Sequence, residues 1–157
     1  VMRRQGRGHI VHCSSILGIV PYRWRGAYVA SKFALEGLAD TMRMELAGSG
    51  VHVVLIQPGP IVSRFSENAI PHLLAHVDVE GSIHAEAYRE RLAKLHDGGG
   101  VNRFRLGPEA VHAKLEKALA SSRPKARYTV TLPTLVMSIA RRFMPQRLMD
   151  RVLMTSD

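Results

Sequence analysis

The sequence predicts an α/β fold built on a parallel sheet. Three observations point there: a short β-branched run at residues 9–13, a long apolar-striped segment from Ala27, and a continuous apolar run at residues 51–56. Strand, long helix and doubly buried strand in that order make a βαβ unit, whose two strands lie parallel in one sheet.

The elements follow in turn. His9-Ile10-Val11-His12-Cys13 follows Gly6 and Gly8 and has strand composition. Gly18, Pro21 and Gly26 mark residues 14–26 as a loop. Leu35, Leu38, Ala39, Met42 and Leu46 then fall at i, i+3, i+4, i+7 and i+11, the buried stripe of an amphipathic helix that Gly48 and Gly50 end. Val51-His52-Val53-Val54-Leu55-Ile56 has the unbroken apolar character of a strand covered on both faces, and it stops before Pro58-Gly59-Pro60. Short helices are expected over 68–76 and 84–96, separated by 77–82, and Gly98-Gly99-Gly100 is expected to turn. A helix over 108–119 has proline near its first turn, and residues 127–131 read as a last strand. Residues 135–154 form one or two amphipathic helices broken at Pro145, with core packing expected for their apolar side. No repeat or long linker divides the chain, so residues 1–157 are expected to lie in one domain.

Composition narrows the class. Hydrophobic residues make up 46% and charged residues 22% of the 157, a globular balance that argues against disorder. Cys13 is the single cysteine, so no internal disulfide forms. The first residues lack the apolar stretch of a secretory signal, and the longest apolar run, 16–21, is too short to span a bilayer. A cytoplasmic address is expected. The net charge of +9 raises nucleic-acid binding, but the arginines are scattered, aromatics are 6%, and no recognition motif accompanies them. His72 and His76 are four apart without any metal-hydrolase pattern, so no metal site is expected. Cys13 is expected to be a buried small hydrophobe, and Tyr128 and Trp24 packing residues, Trp24 lying beside the expected site.

In parallel sheets, ligands bind beyond the carboxyl ends of the strands. Those ends deliver Ser14-Ser15 and Pro58-Gly59-Pro60-Ile61, with Tyr28-Val29-Ala30-Ser31-Lys32 opening the helix between them. A phenol and an ammonium four apart share one helical face, about 6 Å apart along the axis. A free phenol titrates near a pH of about 10, and a neighbouring cation favours the phenolate that exchanges protons with an alcohol or carbonyl oxygen. Ser15, closing the preceding strand, can donate a hydrogen bond to the same oxygen. Tyr28 follows Ser15 by thirteen residues (28 − 15), and Lys32 follows Tyr28 by four.

In this order and spacing, Ile10-Val11-His12-Cys13-Ser14-Ser15-Ile16-Leu17-Gly18, Ala27-Tyr28-Val29-Ala30-Ser31-Lys32 and Gln57-Pro58-Gly59-Pro60-Ile61 resemble the short-chain dehydrogenase/reductase family over residues 9–65. The resemblance implies a Rossmann-like, doubly wound parallel sheet of which this chain is the C-terminal, catalytic half. It implies Tyr28 as general acid/base, Lys32 on the nicotinamide ribose, and Ser15 orienting a carbonyl. Pro58, Gly59, the backbone of Ile61 and the hydroxyl of Ser63 would line the nicotinamide; the family often has Thr at the place of Ser63. The implied cofactor is NADP, or NAD; the partner is a small carbonyl or alcohol substrate; the complete enzyme is a homo-oligomer. Arg64-Phe65, Leu106-Gly107-Pro108-Glu109-Ala110 and Arg127-Tyr128-Thr129-Val130-Thr131-Leu132 are similar to bacterial NADP-dependent aldehyde reductases of that family.

The family's glycine-rich nucleotide turn has no counterpart here: Gly6-Arg7-Gly8 precedes a strand instead of following one. The nucleotide half is expected upstream of Val1, through a mis-called start or a damaged gene. Three functions therefore stay open: a carbonyl–alcohol oxidoreductase, an inert remnant of one, and a basic protein that binds membrane or nucleic acid. For the last, Arg141, Arg142, Arg147 and Arg151 beside Leu, Ile, Phe and Met in the final helices are the relevant feature.

Overall fold

The computed structural model describes residues 1–96 and 104–155. Helix α1 (Met2–Gln5) leads into β1 (Gly8–Cys13), a 3₁₀ turn (Ile16–Gly18), α2 (Gly26–Glu45) and β2 (Val51–Gln57). Then come α3 (Phe65–His76), α4 (Ala85–His96), α5 (Glu109–Leu119), β3 (Arg127–Thr129), α6 (Leu132–Phe143) and α7 (Gln146–Met154). The three strands form one parallel sheet in the order β1-β2-β3, with Gly8 opposite Val51 and Leu55 opposite Arg127.

Strand β2 is the centre of the core because both its faces are covered. Val53 and Leu55 pack with Ala39 and Met42 of α2, with Leu46 just after it, and with Ile10. Val54 and Ile56 point the other way, onto Ala118 and Val111 of α5, with Tyr128, Val11 and Val130. Period-two alternation thus feeds two half-cores from one strand, which is why its sequence is apolar throughout. The two connections step the same way across the sheet yet place α2 and α5 on opposite faces. They must therefore have opposite hands, so one departs from the right-handed rule for parallel crossovers. The long α3–α4 excursion lies within the second connection.

Several expectations need correction. The last strand ends at Thr129; Val130 still donates to the Gln57 carbonyl (3.1 Å), but Thr131 turns to precede α6. Helix α3 begins at Phe65, three residues before the expected 68. Leu38, assigned to the buried stripe of α2, is exposed. Cys13 is exposed as well: it shares a face with Val11 but stands at the carboxyl end of β1, where that half-core does not cover it. The final helices do break at Pro145, but the apolar side of α6 faces solvent instead of the core. The expected turn at Gly98-Gly99-Gly100 lies outside the described residues.

Gly50 precedes β2 with φ +77°, a conformation L side chains rarely adopt, and a Cβ there would overlap the carbonyl of Gly6. No described helix is long and apolar enough to cross a membrane.

Candidate active site

The carboxyl ends of β1 and β2 continue into loops that are laced together. Ser14 N–H donates to the Ile56 carbonyl at 2.8 Å, and Ile16 N–H to the Pro58 carbonyl at 2.7 Å. These bonds carry the sheet's pairing past its last residues, so the Ser14-Ser15 and Pro58-Gly59 segments hold a fixed separation. Ser14 is buried with its hydroxyl against Gly18 and without a hydrogen-bond partner among the described residues, which leaves Ser15 as the more open hydroxyl of the pair. Ser15 caps the 3₁₀ turn, its Oγ accepting from Leu17 N–H at 3.1 Å.

Helix α2 enters over this floor. Lys32 Nζ donates to the Cys13 carbonyl at 2.9 Å and stands 5.5 Å from the centroid of the Tyr28 ring. The four-residue spacing puts both groups on one face, and the Cys13 carbonyl ties that face to the end of β1. The structure therefore brings Tyr28, Lys32 and the strand end carrying Ser15 into one neighbourhood. The Phe65 ring lies 5.3 Å from the Tyr28 ring, so the start of α3 stands beside the phenol.

The Pro58-Gly59-Pro60-Ile61 segment lies on the same side. A Cβ on Gly59 would overlap the hydroxyls of Thr131 and Thr134, which sit 3.0 Å from each other at the start of α6. Ile61 bridges Leu106 through its neighbours: Val62 N–H donates to the Leu106 carbonyl at 2.8 Å, and Leu106 N–H to the Pro60 carbonyl at 3.1 Å. Ile61's own N–H and C=O are not used by that bridge. Ser63 is exposed, with its Oγ 3.4 Å from Phe65 N–H at the start of α3.

Three features escape a reading of the sequence alone. The face bearing Tyr28 and Lys32 continues at the same spacing to Glu36 and Asp40. Gln57 Nε2 donates to both Glu36 carboxylate oxygens (2.9 and 3.0 Å), while Arg127 donates to Glu36 at 3.1 Å and to Asp40 at 2.7 Å. Helix, central strand and edge strand are thereby clamped behind the site. Burial pushes the Asp40 carboxyl up, but the hydrogen bonds and charges of Arg127 and Arg43 outweigh it and hold the group below its ordinary value. The fourfold repeat of 28, 32, 36 and 40 was the available signal. Second, Thr131 and Thr134 set the clearance at Gly59. Third, Trp24 adopts φ +62° and packs against His84 (4.9 Å) and Tyr88 (6.0 Å), joining the loop before Tyr28 to α4.

A parallel sheet covered on both faces, with polar side chains gathered at its carboxyl end, is the α/β architecture in which ligands bind beyond the strand ends. The family model for the short chain dehydrogenase matches residues 1–73, and the chain belongs to that family. It is 41% identical over 152 residues to the uncharacterized oxidoreductase YbbO of Escherichia coli, covering 97% of this chain and 50% of that protein. It is 33% identical over 147 residues to an NADPH-dependent 3-dehydrocapnine reductase of Ornithobacterium rhinotracheale, covering 93% and 50%. The chain thus spans about half the length of these curated relatives. Among solved structures, a short-chain dehydrogenase/reductase from Burkholderia phymatum in complex with NAD superposes with a TM-score of 0.66 at 20% identity, over 90% of this chain and 50% of that one. A short-chain dehydrogenase from Burkholderia cenocepacia in complex with NADP gives 0.61 at 21% identity, over 96% and 49%. At these identities the superpositions establish the Rossmann-like fold.

Proposed function

We propose that residues 1–157 are the C-terminal, catalytic part of a single short-chain dehydrogenase domain that interconverts an aldehyde or ketone with its alcohol. The observation that carries this reading is the Lys32 ammonium, held at 2.9 Å by the Cys13 carbonyl and 5.5 Å from the Tyr28 ring centroid.

The donor set fits a nicotinamide riboside. An ammonium has three N–H donors, and one goes to Cys13, leaving two directed elsewhere for ribose hydroxyls. The backbone N–H and C=O of Ile61, not engaged by the Leu106 bridge, suit a carboxamide, and the Ser63 hydroxyl stands two residues on. Pro58 and Gly59 would form the adjoining wall. When bound, NADP or NAD supplies or accepts the hydride at the substrate carbon. The NADPH dependence named for the dehydrocapnine reductase favours NADP.

In the reductive direction the Ser15 hydroxyl donates to the carbonyl oxygen and fixes its approach. The Tyr28 phenol gives its proton to that oxygen, so the carbonyl becomes a hydroxyl and the phenol a phenolate. The Lys32 ammonium stabilises that phenolate electrostatically. In the oxidative direction the phenolate takes the proton back. The aldehyde-reductase likeness of Arg64-Phe65, of residues 106–110 and of residues 127–132 supports an aldehyde or ketone of apolar character. The exposed Phe65 beside Tyr28 agrees with that choice.

The test is Tyr28→Phe in the polypeptide that joins this chain to a glycine-rich nucleotide half. Phenylalanine keeps the ring packing on Phe65 and has no proton to transfer, so kcat should fall at least about a hundredfold with the circular dichroism unchanged. Parental turnover by that variant removes Tyr28 from the chemistry. A second reading, that the chain by itself is a non-catalytic remnant, rests on its spanning 50% of the length of its curated relatives. Purified alone, the chain should oxidise little NADPH with any aldehyde; robust saturable turnover would exclude the remnant.

A further inference from the structure

Helix α6 carries its amphipathic pattern inside out. Leu132, Leu135, Val136, Ile139 and Phe143 follow i, i+3, i+4, i+7 and i+11 on one face, and all are exposed, Phe143 by 82%. The side turned to the body is led by Thr134, 0% exposed, with Met137 and Ser138 half-buried. After Pro145, α7 buries Met149 and presents Arg147, Arg151 and Met154. Ile139, Phe143, Pro145 and Leu148 line an apolar groove at the corner between the two helices. Four arginines against one aspartate give residues 132–155 a net charge of +3 (4 − 1).

Exposed apolar residues also occur on α2, at Phe33, Leu38 and Met44, but the charges there differ in sign. Lys32 and Arg43 against Glu36, Asp40 and Glu45 leave α2 at −1 (2 − 3). Among the described residues, the α6–α7 face joins an exposed five-residue apolar stripe to a basic surround. Two copies meeting there would oppose +3 to +3, and no described helix is long and apolar enough to cross a bilayer. An anionic lipid surface satisfies both features at once: acyl chains for the stripe and phosphates for the arginines.

We propose that the α6–α7 hairpin docks in the plane of an anionic bilayer surface. Leu135, Ile139 and Phe143 enter the acyl boundary, while Arg142, Arg147 and Arg151 meet the headgroups. The inference is independent of the oxidoreductase chemistry, and its readout needs no turnover.

The test sediments the full chain with vesicles of phosphatidylcholine alone and of phosphatidylcholine with phosphatidylserine. Binding should require phosphatidylserine and fall as salt rises. Phe143→Ser should lower the partition coefficient at least about tenfold. Arg142→Gln, Arg147→Gln and Arg151→Gln should each lower it about fivefold. Leu38→Ser on α2 should leave it unchanged, and Phe143→Trp should shift its emission to the blue on lipid. Equal binding to neutral vesicles, or equal loss on Leu38→Ser, overturns the proposal. So does a dimer in solution that Phe143→Ser dissociates, which assigns the stripe to a second copy. A polypeptide that carries the nucleotide half and ignores the vesicles overturns it too, by assigning the stripe to an intramolecular contact.

Discussion

Replacing Arg127 by methionine isolates the clamp behind the site. Methionine keeps much of the arginine stem and removes the guanidinium that joins Glu36 to Asp40. The two halves of the interaction differ in burial. The Glu36 side chain is 11% exposed, so losing Arg127 leaves a nearly buried carboxylate with the Gln57 amide as its remaining hydrogen-bond donor among the described residues. Breaking a fully buried pair costs about 3–5 kcal/mol. Arg127 is itself 36% exposed, which brings the Glu36 half to roughly 2 kcal/mol. The Asp40 half is 37% exposed and contributes about 0.5 kcal/mol. Arg127→Met should therefore destabilise the chain by about 2–3 kcal/mol at neutral pH, measured by urea unfolding followed by circular dichroism. The acid limb adds a check with a definite sign. Because Asp40 titrates below its ordinary value in the fold, its contribution is complete above the unfolded value of about 4 and is lost as pH falls through the folded one. The variant should accordingly lose less stability than the parent below about pH 4. A destabilisation under about 0.5 kcal/mol, with parallel acid limbs, would refute the claim that Glu36 depends on Arg127.

Other expectations are simpler. Lys32→Ala should raise KM for NADPH in the two-half polypeptide and lower kcat as well, with Lys32→Arg restoring part of the binding; unchanged KM and kcat would separate Lys32 from the cofactor. Gly59→Ala should cost about 1–3 kcal/mol in thermal unfolding, because its Cβ would overlap the Thr131 and Thr134 hydroxyls, and a second change of Thr131 to Ser should not relieve it, since the hydroxyl remains. Binding of the chain to DNA should be weak, indifferent to sequence and steeply reduced by salt; tight selection of one sequence at physiological salt would contradict the reading of its charge as diffuse.

The geometry of the candidate site was partly legible in the sequence because its key spacings are local. Four residues on a helix fix a shared face whatever else the chain does, so Tyr28 and Lys32 could be paired before any fold was known. The βαβ pattern was legible for the same reason, with β1 and β2 bounded by glycine and proline. The clamp was not: Gln57 lies 21 residues from Glu36 and Arg127 lies 91, so only the parallel pairing of β2 with β3 brings the three side chains together. The fate of α6 was illegible for a different reason. Its periodicity shows that one face is apolar, but not which way that face turns. Thr131 and Thr134, committed to the narrow space over Gly59, turn the opposite side inward. Leu38 and Cys13 failed similarly, since apolar character is a one-way guide to burial.

The hairpin of α3 and α4 is joined to the rest by rings: Phe65 on Tyr28, His84 and Tyr88 on Trp24, and Arg91 over Tyr22. Backbone hydrogen bonds, by contrast, lock the strand ends beneath it. A mutation in the locked ends disturbs the whole sheet, whereas a change in the hairpin need satisfy only a few side-chain contacts. A substitution in the hairpin should therefore cost the sheet less than one in the strand ends, except at Phe65, whose ring packs on Tyr28. The two parts are held by different means: the strand ends answer to the register of the sheet, and the hairpin answers to the rings that seat it.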